Sequence, residues 1–376
     1  MNINKLYYHT YLASKNTSRW FKERFKPIKT NRVPERIIIG ATVYLGDLIL
    51  MAPLIQSVKQ KYSDAEITLL VAKGRKEFGE SIIGVDYAIE AQIKNGRWAR
   101  NFIKSYKNYW DLGLVPFAYR LIPLFYAAGV KQIQSFPDPK GRRKFHVHIR
   151  KKIPESVEHM SLMMLKLLDE SDRIFKFPYI HIDPTKLPSV LKNKKYILIH
   201  PGAKDNPRIW SLDRYISIAQ KLIDRGFKIA ITGTVDEIHL SHYIQNRLVP
   251  SHSIIDLCGK TDLIALSAAV QNARLVLGPD TGVLHLARSL EVPNVVIGAG
   301  PSQSKIYGPD EKLHNLKNSR YIEVMPNLSC RDQHTVFKYK ITGVSHCKRK
   351  QCLYPDTPCM NGINTDLVMT EIDKLL

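Results

Sequence analysis

Along most of the chain, short apolar runs alternate with stretches whose apolar residues recur every three or four positions, the pattern of buried strands alternating with amphipathic helices. "RIIIGAT" (36–42) predicts a strand, "GDLILMAPLIQSVKQKY" (46–62) a helix and "EITLLV" (66–71) the next strand, together a βαβ unit. A basic middle section and a predicted helix over "ESVEHMSLMMLKLLDES" (155–171) lead to a linker containing Pro184 and Pro188. A second series follows: the strand "KYILIHPG" (195–202), a helix over 211–226 with Ser211 as its N-cap and Gly226 as its stop, and the strand "KIAITG" (228–233). "SIIDLCG" (253–259), "DLIALSAAVQNA" (262–273), "ARLVLGPD" (273–280), a helix after Thr281 and "NVVIGAG" (294–300) continue it. This pattern predicts two parallel-sheet domains of similar size.

A length of 376 residues also suits two domains. The N-terminus is polar and basic and lacks the short apolar core of an export signal, so a cytoplasmic location is expected. "LGLVPFAYRLIPLFYAAGV" (112–130) comes nearest to a membrane span, but Arg120 and two prolines interrupt it. It reads as a buried strand and a short apolar helix, with contact between part of it and lipid as the alternative.

The formal charge of +22 changes the picture, because so large an excess attracts polyanions: nucleic acid, an acidic membrane surface or a phosphorylated substrate. Residues 1–34 hold eight Lys or Arg against one acid, interleaved with Tyr7, Tyr8, Trp20 and Phe21, and "KGRRKFHVHIRKK" (140–152) is a second basic block. Any single lysine is most simply solvated surface. Two dense clusters, the first with aromatic neighbours, point to a surface-binding role.

In doubly wound sheets, ligands sit where strands end and helices begin. Four such points carry polar residues: "GATVYLGD" (40–47), "HPGAKDNPRIW" (200–210), "TGTVDE" (232–237) and "GPDTGVLH" (278–285). At the last, the amides around Gly282 at a helix start suit a phosphate, with help from the helix dipole and the Thr281 hydroxyl. Asp280 would repel that phosphate if it pointed inward, so it caps the helix or binds a hydroxyl. Taken alone, these residues read first as a purely structural cap, and His285 as a packed, hydrogen-bonded histidine. No Walker loop or G-x-G-x-x-G fingerprint stands at these points, which disfavours P-loop NTPases and simple dehydrogenases.

The spaced combination of "GDLILMAPLIQSVKQKYSDAEITLLV", "IHPGAKDNPRIWSLDRYISIAQKL", "LCGKTDLIALSAAVQNARLVLGPDTGVLHLARSL" and "GPSQSKIYGPD" resembles glycosyltransferase family 9, the ADP-heptose:lipopolysaccharide heptosyltransferases, from about residue 35 to the end. The resemblance implies an α/β GT-B fold: two Rossmann-like doubly wound domains facing a central cleft, with acceptor bound mainly by the first and nucleotide sugar by the second. The expected divisions are a basic extension over 1–34, domains over 35–185 and 190–325, and a Cys-rich segment with a C-terminal helix over 326–376.

The family's Gly-Asp pair matches Gly46 and Asp47, which implies that Asp47 is the general base removing the proton of the acceptor hydroxyl. The alternative is an acid that merely complements a helix dipole. Val43 and Tyr44 stand where many members carry serines. Arg208 matches a basic position that holds the donor phosphates, where a guanidinium and backbone donors stabilise the departing ADP without a metal. The resemblance puts Asp280, Thr281, Gly282 and His285 around the diphosphate and sugar, Glu237 on the ribose hydroxyls with Asp236 as a competitor, and Thr261 near adenine. It implies a single displacement at the anomeric carbon, with inversion and no catalytic cofactor.

The implied acceptor is the anionic inner core of lipopolysaccharide at the inner leaflet, so peripheral attachment to the inner membrane is expected. Arg142, Arg143, Lys144, Arg150, Lys151 and Lys152 are candidate contacts to its anions or to headgroups. "CKRKQCLYPDTPCM" (347–360) resembles a C-terminal cysteine segment of many family members. Cys347, Cys352 and Cys359, with Cys330 as a fourth ligand, suit a structural zinc or iron in a reducing compartment, although the spacing is not that of a paired CxxC ribbon. Cys258 reads as a buried apolar residue. Some relatives that glycosylate autotransporter proteins carry an iron-bound cysteine finger, so a protein acceptor, or another nucleotide sugar, is the alternative. A non-enzymatic nucleic-acid-binding protein is the rival from charge alone; no nucleic-acid motif is recognisable, and no nucleic-acid partner is expected.

Overall fold

The computed structural model describes residues 3–25, 32–138, 146–168, 175, 178–203, 206–298, 304–324, 328–336, 339–347, 349 and 351–376. Two compact units emerge: described residues up to Pro154, from Ser161 to Leu168 and Tyr339 form the first, and Glu155–Met160, Phe175–Val336 and Lys340–Leu376 the second.

In the first unit, β1 (Arg36–Ala41), β2 (Glu66–Ala72), β3 (Tyr87–Ala91), β4 (Leu112–Val115), β5 (Gln132–Ser135) and β6 (Ile149–Arg150) form one sheet in the order β3-β2-β1-β4-β5-β6. All five pairings are parallel. β1 and β2 are buried along nearly their whole length, as continuous apolar runs covered on both faces must be. A long N-terminal helix, α1 (Ile3–Phe25), precedes the sheet, and α2 (Leu45–Leu50), α3 (Ala52–Lys61), α4 (Lys76–Glu80), α5 (Gly96–Ser105) and α6 (Ile122–Ala127) connect its strands. The helix predicted over 46–62 is divided at Met51, the C-cap of α2 and N-cap of α3. Pro53 has no N–H to continue the bonding of the first helix, so a new one starts. The 112–130 run folds as β4 and the short α6, and among the described residues no helix is long and apolar enough to cross a membrane.

The segment before β1 is more than a basic extension. α1 packs on α5 and α6 and sets Tyr8 and Leu12, one helical turn apart, into the core beside Phe102, Trp110 and Phe125. Arg19 donates to the carbonyls of Tyr126 at 2.6 Å and Val130 at 2.8 Å, and its guanidinium lies 4.3 Å from the Tyr126 ring centroid. α7 (Met160–Leu165) is shorter than the helix predicted over 155–171. Residues before it run extended, with Val157 N–H donating to Thr342 O and Thr342 N–H to Glu155 O, both at 2.9 Å.

The second unit contains β7 (Tyr196–Ile199), β8 (Lys228–Ile231), β9 (Ile254–Asp256), β10 (Leu275–Pro279), β11 (Asn294–Ile297) and β12 (Ser319–Ile322), ordered β12-β11-β10-β7-β8-β9 and parallel throughout. Its helices are α8 (Leu212–Asp224), α9 (Ile238–Gln245), α10 (Leu263–Gln271), α11 (Gly282–Ser289), α12 (Ser304–Tyr307), α13 (Pro358–Asn361) and α14 (Thr365–Asp373). Ser211 is the N-cap of α8, and Gly226, at φ +87°, takes the left-handed conformation that ends it. Trp210, Tyr215, Ile218 and Leu222 share a core with Met360, Ile363, Val368 and Ile372 from the C-terminal helices.

Both sheets have the same winding. Counted within each unit, the strand order is third, second, first, fourth, fifth, sixth, so the chain reverses direction across the sheet between β1 and β4 and again between β7 and β10. Crevices for ligands open at the carboxyl ends of the strands flanking such reversals.

Candidate active site

At the reversal in the second unit, β7 delivers His200–Gly202 and β10 delivers Asp280–Gly282. Gly278 permits their close approach, since a Cβ there would stand 2.5 Å from the His200 carbonyl oxygen. Asp280 is 6% exposed. Its Oδ2 accepts from the Tyr321 hydroxyl at 3.1 Å, and Nε2 of His285, one turn into α11, lies 3.4 Å from Oδ1. Arg208 Nη1 donates to the Asp280 backbone carbonyl at 3.3 Å. Sequence separations of 41 and 72 residues are thereby closed around one residue, at its carboxylate and its backbone carbonyl respectively.

The N-cap of α11 is Thr281, not Asp280, and Thr281 makes no side-chain cap bond. Its Oγ1 is buried with no hydrogen-bond partner among the described residues. A hydroxyl left so beside the first amides of a helix, which have no acceptor within the helix, suits an incoming anion better than a structural cap does. His285 stays neutral at physiological pH: burial, and then Arg288 and Arg208, push its pKa down to about 3. Buried Arg288 donates to Tyr307 O at 2.7 Å; burial lowers its pKa, and the Asp280 carboxylate opposes that shift.

Glu237 and Asp236 separate clearly. Asp236 is exposed. The Glu237 carboxylate lies against Gly202, where a Cβ would collide with it, and its Oε2 accepts from Thr234 N–H at 2.7 Å and Thr234 Oγ1 at 2.9 Å, closing a capping box. Thr261 is half-buried between β9 and α10, and strand order puts β9 two strands away from β7.

In the first unit, Asp47 lies in the first turn of α2, directly after β1 at the reversal. Burial raises its pKa to about 6, against the opposing pull of the Tyr44 amide and the Arg75 cation. Arg75 N-caps α4 after β2 and donates to the Val43 carbonyl. Its loop is pinned by Glu90 Oε1, which accepts from Gly74 N–H at 2.8 Å and Arg75 N–H at 3.2 Å. A carboxylate titrating near 6 beside a cation is suited to take a proton at neutral pH.

Arg142, Arg143 and Lys144 lie outside the described residues. Of the remaining basic block, Arg150 and Lys152 are exposed and Lys151 is half-buried. Cys330, Cys347, Cys352 and Cys359 line one recess with Pro207, Leu328 and Arg331. All four are free thiols; burial raises the pKa of Cys330 and Cys359, and charge on neighbouring thiols adds to the rise. Among the described residues no three His, Cys, Asp or Glu side chains stand in an arrangement that holds a metal ion. Cys258 lies apart, donating to Thr234 O at 3.3 Å, and burial pushes its thiol up to about 11.

Arg75, Tyr321 and Arg288 are absent from the sequence reading. Arg75 was accessible to it, because "AKGR" closes the second strand as "VYLGD" follows the first. Tyr321 gives no local signal: it reaches Asp280 by laying its ring across Gly298 at the end of β11, where a Cβ would collide with it.

Two doubly wound units, each with polar residues gathered at its reversal, define the GT-B class of glycosyltransferases. The chain matches a solved E. coli ADP-heptose LPS heptosyltransferase II with a TM-score of 0.69 at 17% identity, over 90% of this chain and 98% of that one. An iron-containing dodecameric glycosyltransferase, TibC from enterotoxigenic E. coli H10407, matches with a TM-score of 0.52 at 12% identity, over 92% and 79%. The lipooligosaccharide heptosyltransferase 2 of Haemophilus ducreyi is 23% identical over 303 residues, 73% of this chain and 85% of that protein. The sequence profile of glycosyltransferase family 9 (heptosyltransferase) matches residues 158–333.

Proposed function

We propose that this enzyme transfers heptose from ADP-heptose to the inner core of a lipopolysaccharide acceptor by a single inverting displacement. The observation that carries the reading is the end of β10: a buried Thr281 hydroxyl without a partner among the described residues, the first amides of α11, and an Arg208 guanidinium bonded to the same loop. In this reading the amides, Thr281 and Arg208 hold the diphosphate and stabilise the charge that develops as ADP leaves. Asp280, oriented by Tyr321 and His285, accepts from sugar hydroxyls, and neutral His285 adds no charge of its own. Glu237 offers its second carboxylate oxygen to the ribose, and Thr261 flanks the base. Asp47 removes the proton from the attacking hydroxyl; its pKa near 6 leaves it ionised at neutral pH and still basic enough to act.

The four C-terminal thiols fit a structural zinc or iron in donor type, and such an ion would cross-link the segment that lies against Pro207. In this reading the protein works at the cytoplasmic face of the inner membrane, and Arg142, Arg143 and Lys144 contact the acceptor's anions.

The test is incubation with ADP-heptose and a heptose-deficient lipopolysaccharide, following ADP release and acceptor mass. A gain of one heptose, with the anomeric configuration inverted, is expected. ADP release with no change in acceptor mass, or transfer from a different nucleotide sugar alone, would overturn the reading.

A further inference from the structure

Away from the strand-end sites, the first unit carries an uncompensated basic face. From Gln92 to Trp110 the chain has five Lys or Arg and no acid. Ala99, Phe102 and Ile103 bury one side of α5, so the helical period turns Arg97, Arg100 and Lys104 to the opposite side. These three are exposed, as are Lys94 and Lys107 at either end, and among the described residues none of the five forms an ion pair. α1 lies alongside, its Tyr7 ring against Gly96, where a Cβ would collide with it. It leaves Tyr7 42% exposed and carries exposed Lys5 and Lys15. An ordinary solvated surface interleaves the two signs of charge; five cations in one stretch of chain without an acid repel one another until an anionic surface neutralises them.

The geometry points to this face, the α5 stripe with α1 beside it, as a docking surface for an anionic phospholipid bilayer. One further observation agrees: the segment before β1 is anchored to the unit through buried Tyr8 and Leu12 and the hydrogen bonds of half-buried Arg19, which hold α1 beside α5. The choice of lipid over nucleic acid rests on the lipid-borne acceptor proposed above, because charge alone suits both.

Cosedimentation of the full chain with vesicles of phosphatidylethanolamine, with and without phosphatidylglycerol, tests it. The native protein is expected to bind the phosphatidylglycerol vesicles, less tightly as salt rises. The exposed-residue variant R97Q/R100Q/K104Q/K107Q is expected to lose at least about a hundredfold in partitioning, with unchanged melting and unchanged turnover on a water-soluble, delipidated acceptor. Equal partitioning of variant and native protein would overturn the proposal, and so would binding of a nucleic-acid duplex but not vesicles at the same ionic strength. Vesicle binding needs no nucleotide sugar, so failure of the heptose-transfer reading shows as absent turnover with partitioning intact.

Discussion

The Arg208 guanidinium donates to the backbone carbonyl of Asp280 at 3.3 Å across 72 residues of sequence. This bond ties the loop after β7 to the loop after β10, and the C-terminal segment supports it from behind. Pro207 lines the cysteine recess, and the Trp210 indole N–H donates to Ile363 O at 2.9 Å.

Replacing Arg208 therefore tests the donor site directly. Arg208→Gln is expected to lower kcat by about a hundredfold or more, the usual cost of losing a donor that stabilises transition-state charge, with little change in melting temperature because the side chain is only half-buried. Steady-state kinetics and a thermal melt on the same preparation check both.

Thr281 separates binding from folding. Its Oγ1 is buried and without a partner among the described residues, so the isosteric Thr281→Val should melt at or above the native temperature, since an unsatisfied hydroxyl is costly to bury. Affinity for the nucleotide sugar should fall about tenfold, the equivalent of one charge-assisted hydrogen bond. Calorimetric titration beside a melting curve reads the two effects separately.

Asp47 should show in both rate and stability. As a base with a pKa near 6, it predicts a rate that rises through that pH, and Asp47→Asn should cost about 10²–10⁴ in kcat. The folded pKa exceeds the ordinary 3.8, so the folded state holds the proton more tightly than the unfolded chain. Its contribution to stability is thus lost as pH rises from about 4 through 6, and Asp47→Asn should be more stable than the native protein at about pH 8 by of order 1–3 kcal/mol, the gap closing below about pH 4. Chemical denaturation at several pH values measures it.

Arg75 opposes the effect of burial on Asp47. Arg75→Gln should move the acidic limb of the rate profile to higher pH, while Arg75→Lys, which keeps the charge, should leave it nearly in place. A limb unmoved in both variants would break the link between the two residues.

The cysteine recess bears on Arg208 through Pro207. Under the proposal that these thiols hold a zinc or iron ion, the native protein should copurify with one in elemental analysis, and Cys347→Ser/Cys359→Ser should lose it, melt lower and bind the nucleotide sugar more weakly. The acidic limb set by Asp47 in the other unit should stay where it is.

Strand and helix identity, the pairing of two nucleotide-type sheets, and the strand-end positions of Asp47, Arg208, Glu237 and Asp280 were legible in the sequence. They rest on local rules: continuous apolar runs for strands buried on both faces, helical periodicity for their covers, and ligand-facing residues where one gives way to the other. The break at Met51 was missed, although Pro53 carries its signal. The burial of α1 was missed too: Tyr8 and Leu12, with Tyr11 packed beside them, stand among basic and aromatic residues that suit a surface helix equally well.

What the sequence by itself determined is therefore the list of elements and the chemical groups at their ends, since each depends on neighbours a few positions away. The tertiary structure alone decided the state of those groups. Asp280 is held by Tyr321 with His285 3.4 Å away, Thr281 keeps its hydroxyl without a partner among the described residues, Glu237 rather than Asp236 turns to Gly202, and Asp47 titrates near 6. Burial and Coulomb interaction act through space, so the charge a side chain carries depends on residues that only folding brings beside it.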